Sequence, residues 1–313
     1  MISFRYHVVS LLAVLLALAA GVALGSGPLQ REASDGTGES DAEALAVADT
    51  RVEQLEEGQA FDAAYAEATA GELLGDALDG RAVTLVSLPG SADATLTTLS
   101  DMVAEAGGEV TARVSFEEKL LDVANRQLVD ELATQLHESV ERKVDVPAGA
   151  SGYERVGVLL AHAIASQRAG GRPVNDVSDR VLAGLSTADL VTTQGNIDRR
   201  GGLVLLVAGA PYGSADERDG AGSIIATVAT ALDEGSNGAA LVGPVEAAAP
   251  DGLVGALRAD PTAAREVSTV DVADRVSGAV VTMLALAREA TGESGHYGTA
   301  DAADGPMPGA SAD

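Results

Sequence analysis

The hydrophobic positions near the amino terminus form one long run with a single polar interruption. Residues 8–24 read VVSLLAVLLALAAGVAL, in which Ser10 is the polar residue. Extended to Gly27, the run reaches 20 residues, and an α-helix needs about 20 apolar residues to cross the hydrocarbon core of a bilayer. The pattern therefore predicts an anchor over residues 1–28 that contacts the lipid bilayer through residues 8–27.

Charged residues on the two sides of this run predict its orientation. Arg5 precedes the run, and acidic residues accumulate after it with only Arg31 opposing them. The positive-inside rule then places the amino terminus in the cytoplasm and the bulk of a single-pass cell-membrane protein outside it. A cleaved signal peptide is the alternative, because Ala23-Leu24-Gly25 offers a small-x-small site. The length of the run favours the uncleaved anchor, since signal peptides have apolar regions of about 7–15 residues.

Residues 29–75 are predicted to form a linker and a helical stalk. The stretch from Ser34 to Ser40 is rich in glycine, serine and acidic residues, which predicts a flexible joint. From Asp41 to about Leu74 the pattern is helical, and its first apolar residues have the a/d spacing of a coiled coil: Leu45, Ala48, Val52 and Leu55. Two such heptads predict a homodimer through residues 41–58. The alternative is one amphipathic helix packed against its own domain.

The rest of the chain alternates between strand-like and helix-like patterns. Residues 81–88 and 109–114 are β-branched apolar runs, and residues 92–106 between them are helical, which predicts a right-handed β-α-β unit with a parallel strand pair. We predict further helices over 116–144, 153–165, 177–185, 223–232 (with Ser223 as N-cap) and 271–290, and strands over 189–193, 203–207 and 239–242.

This alternation predicts the fold class α/β. We expect residues 76–292 to form an open, mostly parallel sheet of five to six strands layered by helices. The remaining residues, 293–313, are acidic and polar, and we predict that they form a flexible tail.

Charge and cysteine content exclude several classes of function. The chain has 20 Lys and Arg against 47 Asp and Glu, a net charge of −27. Nucleic acid is excluded as a partner because neutralising phosphates requires clustered basic residues. Cysteine is absent, which rules out disulfides, thiolate metal sites, iron–sulfur clusters and cysteine nucleophiles.

Candidate chemistry is sparse. The loops Gly209–Gly213 and Pro89–Asp93 follow predicted strands, but neither has the spacing of a dinucleotide- or nucleotide-binding loop. We interpret both as turns, with Ser91 or Asp93 as a helix N-cap. No motif orders a catalytic set, so we predict no catalytic residues, no cofactor-binding residues and no enzymatic activity.

One pair of residues has side chains that can coordinate a soft metal ion. Copper(I) prefers thiolate and thioether ligands, and Met307 lies eleven residues after His296 in the predicted tail. We take His296 and Met307 as the candidate metal ligands, with a copper ion as the candidate cofactor. The other internal histidines are predicted to be solvated (His137) or to lie in the core (His162).

Several short motifs in the chain have a specific order and spacing. At the start these are Met1-Ile2-Ser3, Arg5, His7, Ser10-Leu11, Gly21-Val22 and Leu24-Gly25-Ser26-Gly27. Further along they are residues 81–115, the VLLVAGA strand at 204–210, Val267-Ser268-Thr269-Val270-Asp271 and Tyr297-Gly298-Thr299. In these motifs the chain resembles the copper transporter MctB family.

The resemblance implies an envelope protein with a role in copper homeostasis or efflux across the cell envelope. A single apolar span cannot enclose a pore without oligomerising, so we expect an accessory or binding role, or an assembly. The alternative is a non-enzymatic envelope scaffold that regulates cell-wall remodelling or cell separation through its stalk. Either role predicts an envelope protein as a partner.

Overall fold

The computed structural model describes residues 28–140, 143–213, 218 and 220–309. These residues belong to two units, one ending at Phe61 and the other beginning at Asp62. The predicted membrane-spanning segment, residues 8–27, lies outside the described residues. Among the helices of the described part, none combines the length and the hydrophobicity that crossing a bilayer requires.

A single long helix, α1, runs from Pro28 to Leu74. The prediction of a helix reaching about Leu74 is confirmed. The prediction of a flexible joint at residues 34–40 is wrong, because α1 continues through them. Helix propagation is cooperative, so a few residues of poor propensity can remain helical between flanking helical segments.

The second unit contains a seven-stranded sheet in the order β4-β2-β1-β6-β7-β8-β9 and a separate two-stranded ribbon of β3 and β5. The strands are β1 (Ala82–Ser87), β2 (Glu109–Phe116), β3 (Arg172–Pro173), β4 (Val191–Thr193), β5 (Arg199–Arg200), β6 (Leu203–Val207), β7 (Ala239–Val242), β8 (Ser268–Val270) and β9 (His296–Tyr297).

Neighbouring strands of the large sheet are parallel, except for the antiparallel pair of β2 and β4. The predicted mostly parallel α/β sheet is therefore confirmed, including the parallel pair of β1 and β2. The predicted number of strands is too low, because β8 and β9 were missed. Strand β9 also corrects the prediction of a flexible tail, since residues 296 and 297 pair with β8 at the edge of the sheet.

Helices cover both faces of the sheet. After α1 they are α2 (Asp93–Glu105), α3 (Glu118–Leu121), α4 (Arg126–Ser139), α5 (Gly152–Ile164), α6 (Asp176–Thr187), α7 (Ala221–Glu234), α8 (Leu253–Ala259), α9 (Ala263–Glu266) and α10 (Val276–Glu289), with 3-10 turns at Val123–Asn125 and Val245–Ala248.

The side chains of β6 alternate between two hydrophobic cores, one on each face. Val204 and Leu206 join the core built with α4, α5, α6 and α7. Leu203, Leu205 and Val207 join the core built with α2 and α10. Alternation with a period of two is the geometry of a β-strand, and burial on both faces explains why this strand reads as a continuous apolar run.

Two predicted helix starts need correction. Helix α7 is preceded by Gly220, whose φ of 83° lies in the left-handed region. Glycine adopts that conformation readily, so the helix starts earlier than predicted and Ser223 lies in its first turn. The closing helix α10 begins at Val276, because Asp271 at its predicted start is buried directly after β8.

Candidate functional site

The two loops predicted to be turns meet at the carboxyl ends of β1 and β6. The order of the strands reverses here, and open α/β sheets bind ligands at such switch points. A β-carbon on Gly209 would overlap the carbonyl group of Gly90, so the two backbones touch. The loops therefore fill part of this crevice with their own backbone. The N-cap of α2 is Ala92, without a side-chain hydrogen bond, which corrects the choice of Ser91 or Asp93.

The candidate metal ligand His296 lies on the edge strand β9. Its Nδ1 lies 3.0 Å from Oγ1 of Thr269. Burial and, secondarily, the neighbouring Arg258 lower the pKa of the imidazole, which favours the neutral ring. Copper binding through Nδ1 would therefore require the hydrogen bond to Thr269 to break.

Met307 is half-buried near the end of the described chain. The described residues hold no group of three or more His, Asp or Glu side chains arranged to coordinate a metal ion. Copper ligation by His296 and Met307 stays a prediction.

Beside His296, a buried ion pair holds the segment after β9 onto the sheet. Nη1 of Arg258 donates to Oδ2 of Asp271 over 2.9 Å, and the Asp271 side chain is fully buried. Asp271 also accepts hydrogen bonds from the backbone nitrogens of Thr299, at 2.8 Å, and Ala300, at 3.2 Å. Arg258 donates in turn to the carbonyl oxygen of Tyr297 over 3.0 Å. The pair thus orders residues 297–300.

The sequence did not reveal two carboxyl groups at the amino ends of β7 and β8, of which Asp233 is half-buried and Glu289 is buried. Oδ1 of Asp233 accepts from the backbone nitrogen of Ala239 over 2.8 Å, and Oε1 of Glu289 accepts from that of Ser268 over 2.7 Å. Burial is the main cause that raises the pKa of Asp233 to about 6 and that of Glu289 to about 8. Each carboxyl group accepts a hydrogen bond from the backbone N–H of the first residue of a strand. The hydropathy pattern of the sequence contains no sign of such a hydrogen bond.

Replacing Glu289 with glutamine is expected to remove a pH dependence of stability. Between pH 4.5, the ordinary value for this carboxyl, and about 8, the unfolded chain has lost the proton that folded Glu289 retains. The folded state binds more protons in this window, so wild-type stability falls as the pH rises. Glutamine keeps the oxygen that accepts from Ser268 but cannot ionise. At pH 8 we expect Glu289→Gln to be more stable than wild type by about 2–4 kcal/mol.

Urea unfolding at pH 5 and pH 8 measures this difference. The exposed Glu118 supplies the control, since Glu118→Gln should leave the pH dependence of wild type intact. An equal loss of stability on going from pH 5 to pH 8 in wild type and Glu289→Gln would contradict the assignment.

In the first unit, α1 presents apolar side chains to solvent. Leu45 is 65% exposed, Val52 is 52% exposed and Leu55 is 58% exposed. These three are members of the a/d row on which the predicted dimer depends. Contiguous exposed apolar surface marks interaction sites more often than isolated residues do, so this row is the candidate partner surface of the stalk.

Comparison with known proteins gives matches along almost the whole chain. The family described as "Copper transport outer membrane protein, MctB" matches residues 1–308. The protein named Copper transporter MctB from Mycobacterium tuberculosis is 31% identical over 319 residues, which cover 96% of this chain and 96% of that protein. The chain belongs to the MctB family. The Mycobacterium leprae protein of the same name is 27% identical over 327 residues, covering 95% of this chain and 96% of that protein.

The MctB match includes each region that the sequence singled out. Residues 8–27, the exposed row of α1, the α/β unit, His296 and Met307 all lie within residues 1–308. The family membership predicted from the opening motif is therefore confirmed, and the two candidate copper ligands belong to the matched part of the chain.

Proposed function

We propose that this chain is a membrane-anchored extracytoplasmic protein with a role in copper homeostasis or efflux across the cell envelope. The observation that carries the proposal is the MctB family match over residues 1–308. The family description refers to copper transport and the outer membrane, and the mycobacterial relatives are named copper transporters. In this proposal copper is the cargo of the system in which the chain works.

We infer that residues 8–27 provide the anchor. This run is long enough to cross a bilayer as a helix, and its flanking charges favour an extracytoplasmic stalk and α/β unit. We therefore place the chain as a single-pass protein of the cell membrane, with residues 1–28 as anchor, 29–75 as stalk and 76–292 as the α/β domain.

The α/β unit fits an accessory role better than a conduit. The central strands β1, β6, β7 and β8 are buried on both faces, and the two cores are filled mainly with aliphatic side chains. Nδ1 of His296 is engaged by Oγ1 of Thr269. We therefore propose that the chain supports copper movement through an assembly rather than by enclosing a path alone, and that this role is not enzymatic.

Growth of a gene-deletion strain on copper tests this function. We expect the deletion strain to grow less well than its parent on added copper and the full chain to restore growth. Zinc plates are the control, since both strains should grow equally on them. Equal growth of the deletion strain and its parent on copper would reject the copper role.

A second candidate function rests on the stalk. The exposed apolar row on α1 favours a scaffold that recruits an envelope partner or a second copy of the chain, and so regulates cell-wall remodelling or cell separation. Microscopy of the deletion strain separates the two candidates. Defects in cell separation with normal growth on copper would support the scaffold, and normal separation with copper sensitivity would support copper homeostasis.

Substitutions in the apolar row are expected to dissociate a stalk dimer. Replacing Leu45, Val52 and Leu55 together with serine removes a/d side chains that coiled coils bury between helices. We expect the full-length wild type in detergent to sediment as a dimer and the triple variant as a monomer. Val47→Ser is the matched control, because Val47 is 63% exposed on α1 but lies outside the a/d row.

Analytical ultracentrifugation measures both variants. A wild type that is monomeric at every concentration would contradict the dimer, and so would a triple variant that dimerises as strongly as Val47→Ser.

A further inference from the structure

A cleft of about 700 Å³ opens beside the amino end of β6. One wall is the end of α5 with His162, another is the end of α7 with Glu234, and the β3–β5 ribbon contributes Arg172 and Arg200. This end of the sheet is remote from the loops at the switch point. The cleft also lies outside the network around His296, so it has no part in the function proposed above.

Arg200 is buried in this cleft with donors left over. Arg200 is only 7% exposed. Its Nη1 donates to the carbonyl oxygen of His162 over 2.7 Å. Its Nε is buried and has no hydrogen-bond partner. Buried donors in proteins are nearly always paired, and an unpaired one requires an explanation. A group that accepts from Nε would supply it.

His162 adds a second unpaired polar atom to the same cleft. Its Nε2 is buried and has no hydrogen-bond partner. Burial is the first cause that lowers the pKa of this imidazole, and the Arg200 charge is the second. A neutral ring can carry its proton on Nε2 and donate it. Two potential hydrogen-bond donors of residues that line the same cleft, Nε2 of His162 on α5 and Nε of Arg200 on β5, therefore have no acceptor.

The two arginines of the cleft also lack a direct carboxylate partner. Arg172 and Arg200 are paired directly opposite each other in the antiparallel ribbon, where like charges destabilise a strand pair. Neither arginine forms an ion pair with a carboxylate in the described part of the chain, although Asp145 and Glu234 line the cleft. In a chain with a net charge of −27, two facing arginines that no carboxylate pairs with directly indicate a place for a negative ligand.

We propose that this cleft binds the carboxylate or phosphate group of a small anion. Arg200 lines the cleft, and a guanidinium suits the planar, two-point contact that an oxyanion makes. The Nε2 of His162 donates to the same group, and Arg172 supplies charge at the exposed edge of the cleft. Val158 and Ala161 form an apolar part of the wall that accommodates a short hydrocarbon portion.

Titration calorimetry of the full-length chain in detergent tests the proposal, with inorganic phosphate and succinate as separate probes. We expect saturable binding of one anion per chain for at least one probe. Arg200→Lys keeps the charge but loses the two-point contact, so we expect its affinity to fall by about tenfold or more. Arg126→Gln removes an exposed charge outside the cleft and should bind as wild type does.

Arg172→Glu is a second variant that tests anion binding even if Arg200→Lys does not fold. Arg172 is exposed, and its reversal should weaken binding while the thermal unfolding temperature stays near that of wild type. The proposal is overturned if neither probe binds saturably, or if binding is unchanged in both Arg200→Lys and Arg172→Glu. The copper plates above do not depend on this result, so each proposal can fail alone.

Discussion

Replacing Asp271 with alanine is expected to lower the free energy of unfolding by about 3–5 kcal/mol, because it leaves a buried charge without its partner. Arg258 would keep its place, since it also donates to Tyr297 and to Oγ1 of Thr269 over 2.7 Å. The backbone nitrogens of Thr299 and Ala300 would lose the acceptor that they share.

The matched control is a similar ion pair on the surface. Asp130 accepts from Arg155 over 3.1 Å, but its side chain is 56% exposed. Surface pairs contribute about 1 kcal/mol or less, so Asp130→Ala should be almost as stable as wild type. Urea unfolding of both variants measures the difference. If both variants lost the same free energy of unfolding, burial would not be the reason that the Arg258–Asp271 pair stabilises the fold.

Gly209→Ala is the second substitution with a large expected effect. The added methyl group would overlap the carbonyl group of Gly90 and approach the backbone nitrogen of Ser91. All of these atoms belong to the backbone, so no flexible side chain can move aside. Gly90 itself has a φ of +81°, which holds its loop in a conformation that glycine adopts readily. We expect a loss of about 3 kcal/mol.

Gly170→Ala makes the same chemical change where there is room. The nearest atom to a β-carbon at Gly170 is the carbonyl oxygen of Gly80, at 3.5 Å, an ordinary van der Waals contact. We expect this control to change the thermal unfolding temperature little. A Gly209→Ala variant that melts within a degree or two of the control would mean that the two loops can separate, and that the crevice at the switch point is open to ligands.

The strands that the sequence predicted best are the ones whose own side chains are apolar. Residues 203–207 and 239–242 were predicted to the residue, because their burial on both faces requires a continuous hydrophobic run. Strand β8 has no such run. Ser268 and Thr269 are buried there, and their hydrogen-bond partners are distant in the sequence. The backbone N–H of Ser268, for example, donates to Oε1 of Glu289, 21 residues away.

The same reasoning explains why the arginine clusters were not predicted. Arg258 and Asp271 are 13 residues apart in the chain, and Asp271 lies next to a helical pattern that extended the predicted helix over it. Arg172 and Arg200 meet only because the ribbon pairs them. The hydropathy pattern predicts which residues are buried, but it does not predict which polar groups form hydrogen bonds or ion pairs in the folded chain.

The copper content of cells that lack this chain is the decisive test of the proposed copper role. We expect the deletion strain, grown with added copper, to accumulate more copper than its parent, and the full chain to restore the parental level. A chain with Leu15→Arg and Leu16→Arg should fail to restore it, because each arginine at the centre of the apolar run costs about 2.5–3.5 kcal/mol on insertion into a membrane. Unchanged copper content in the deletion strain would contradict the copper role, and full restoration by the double arginine variant would contradict the anchor.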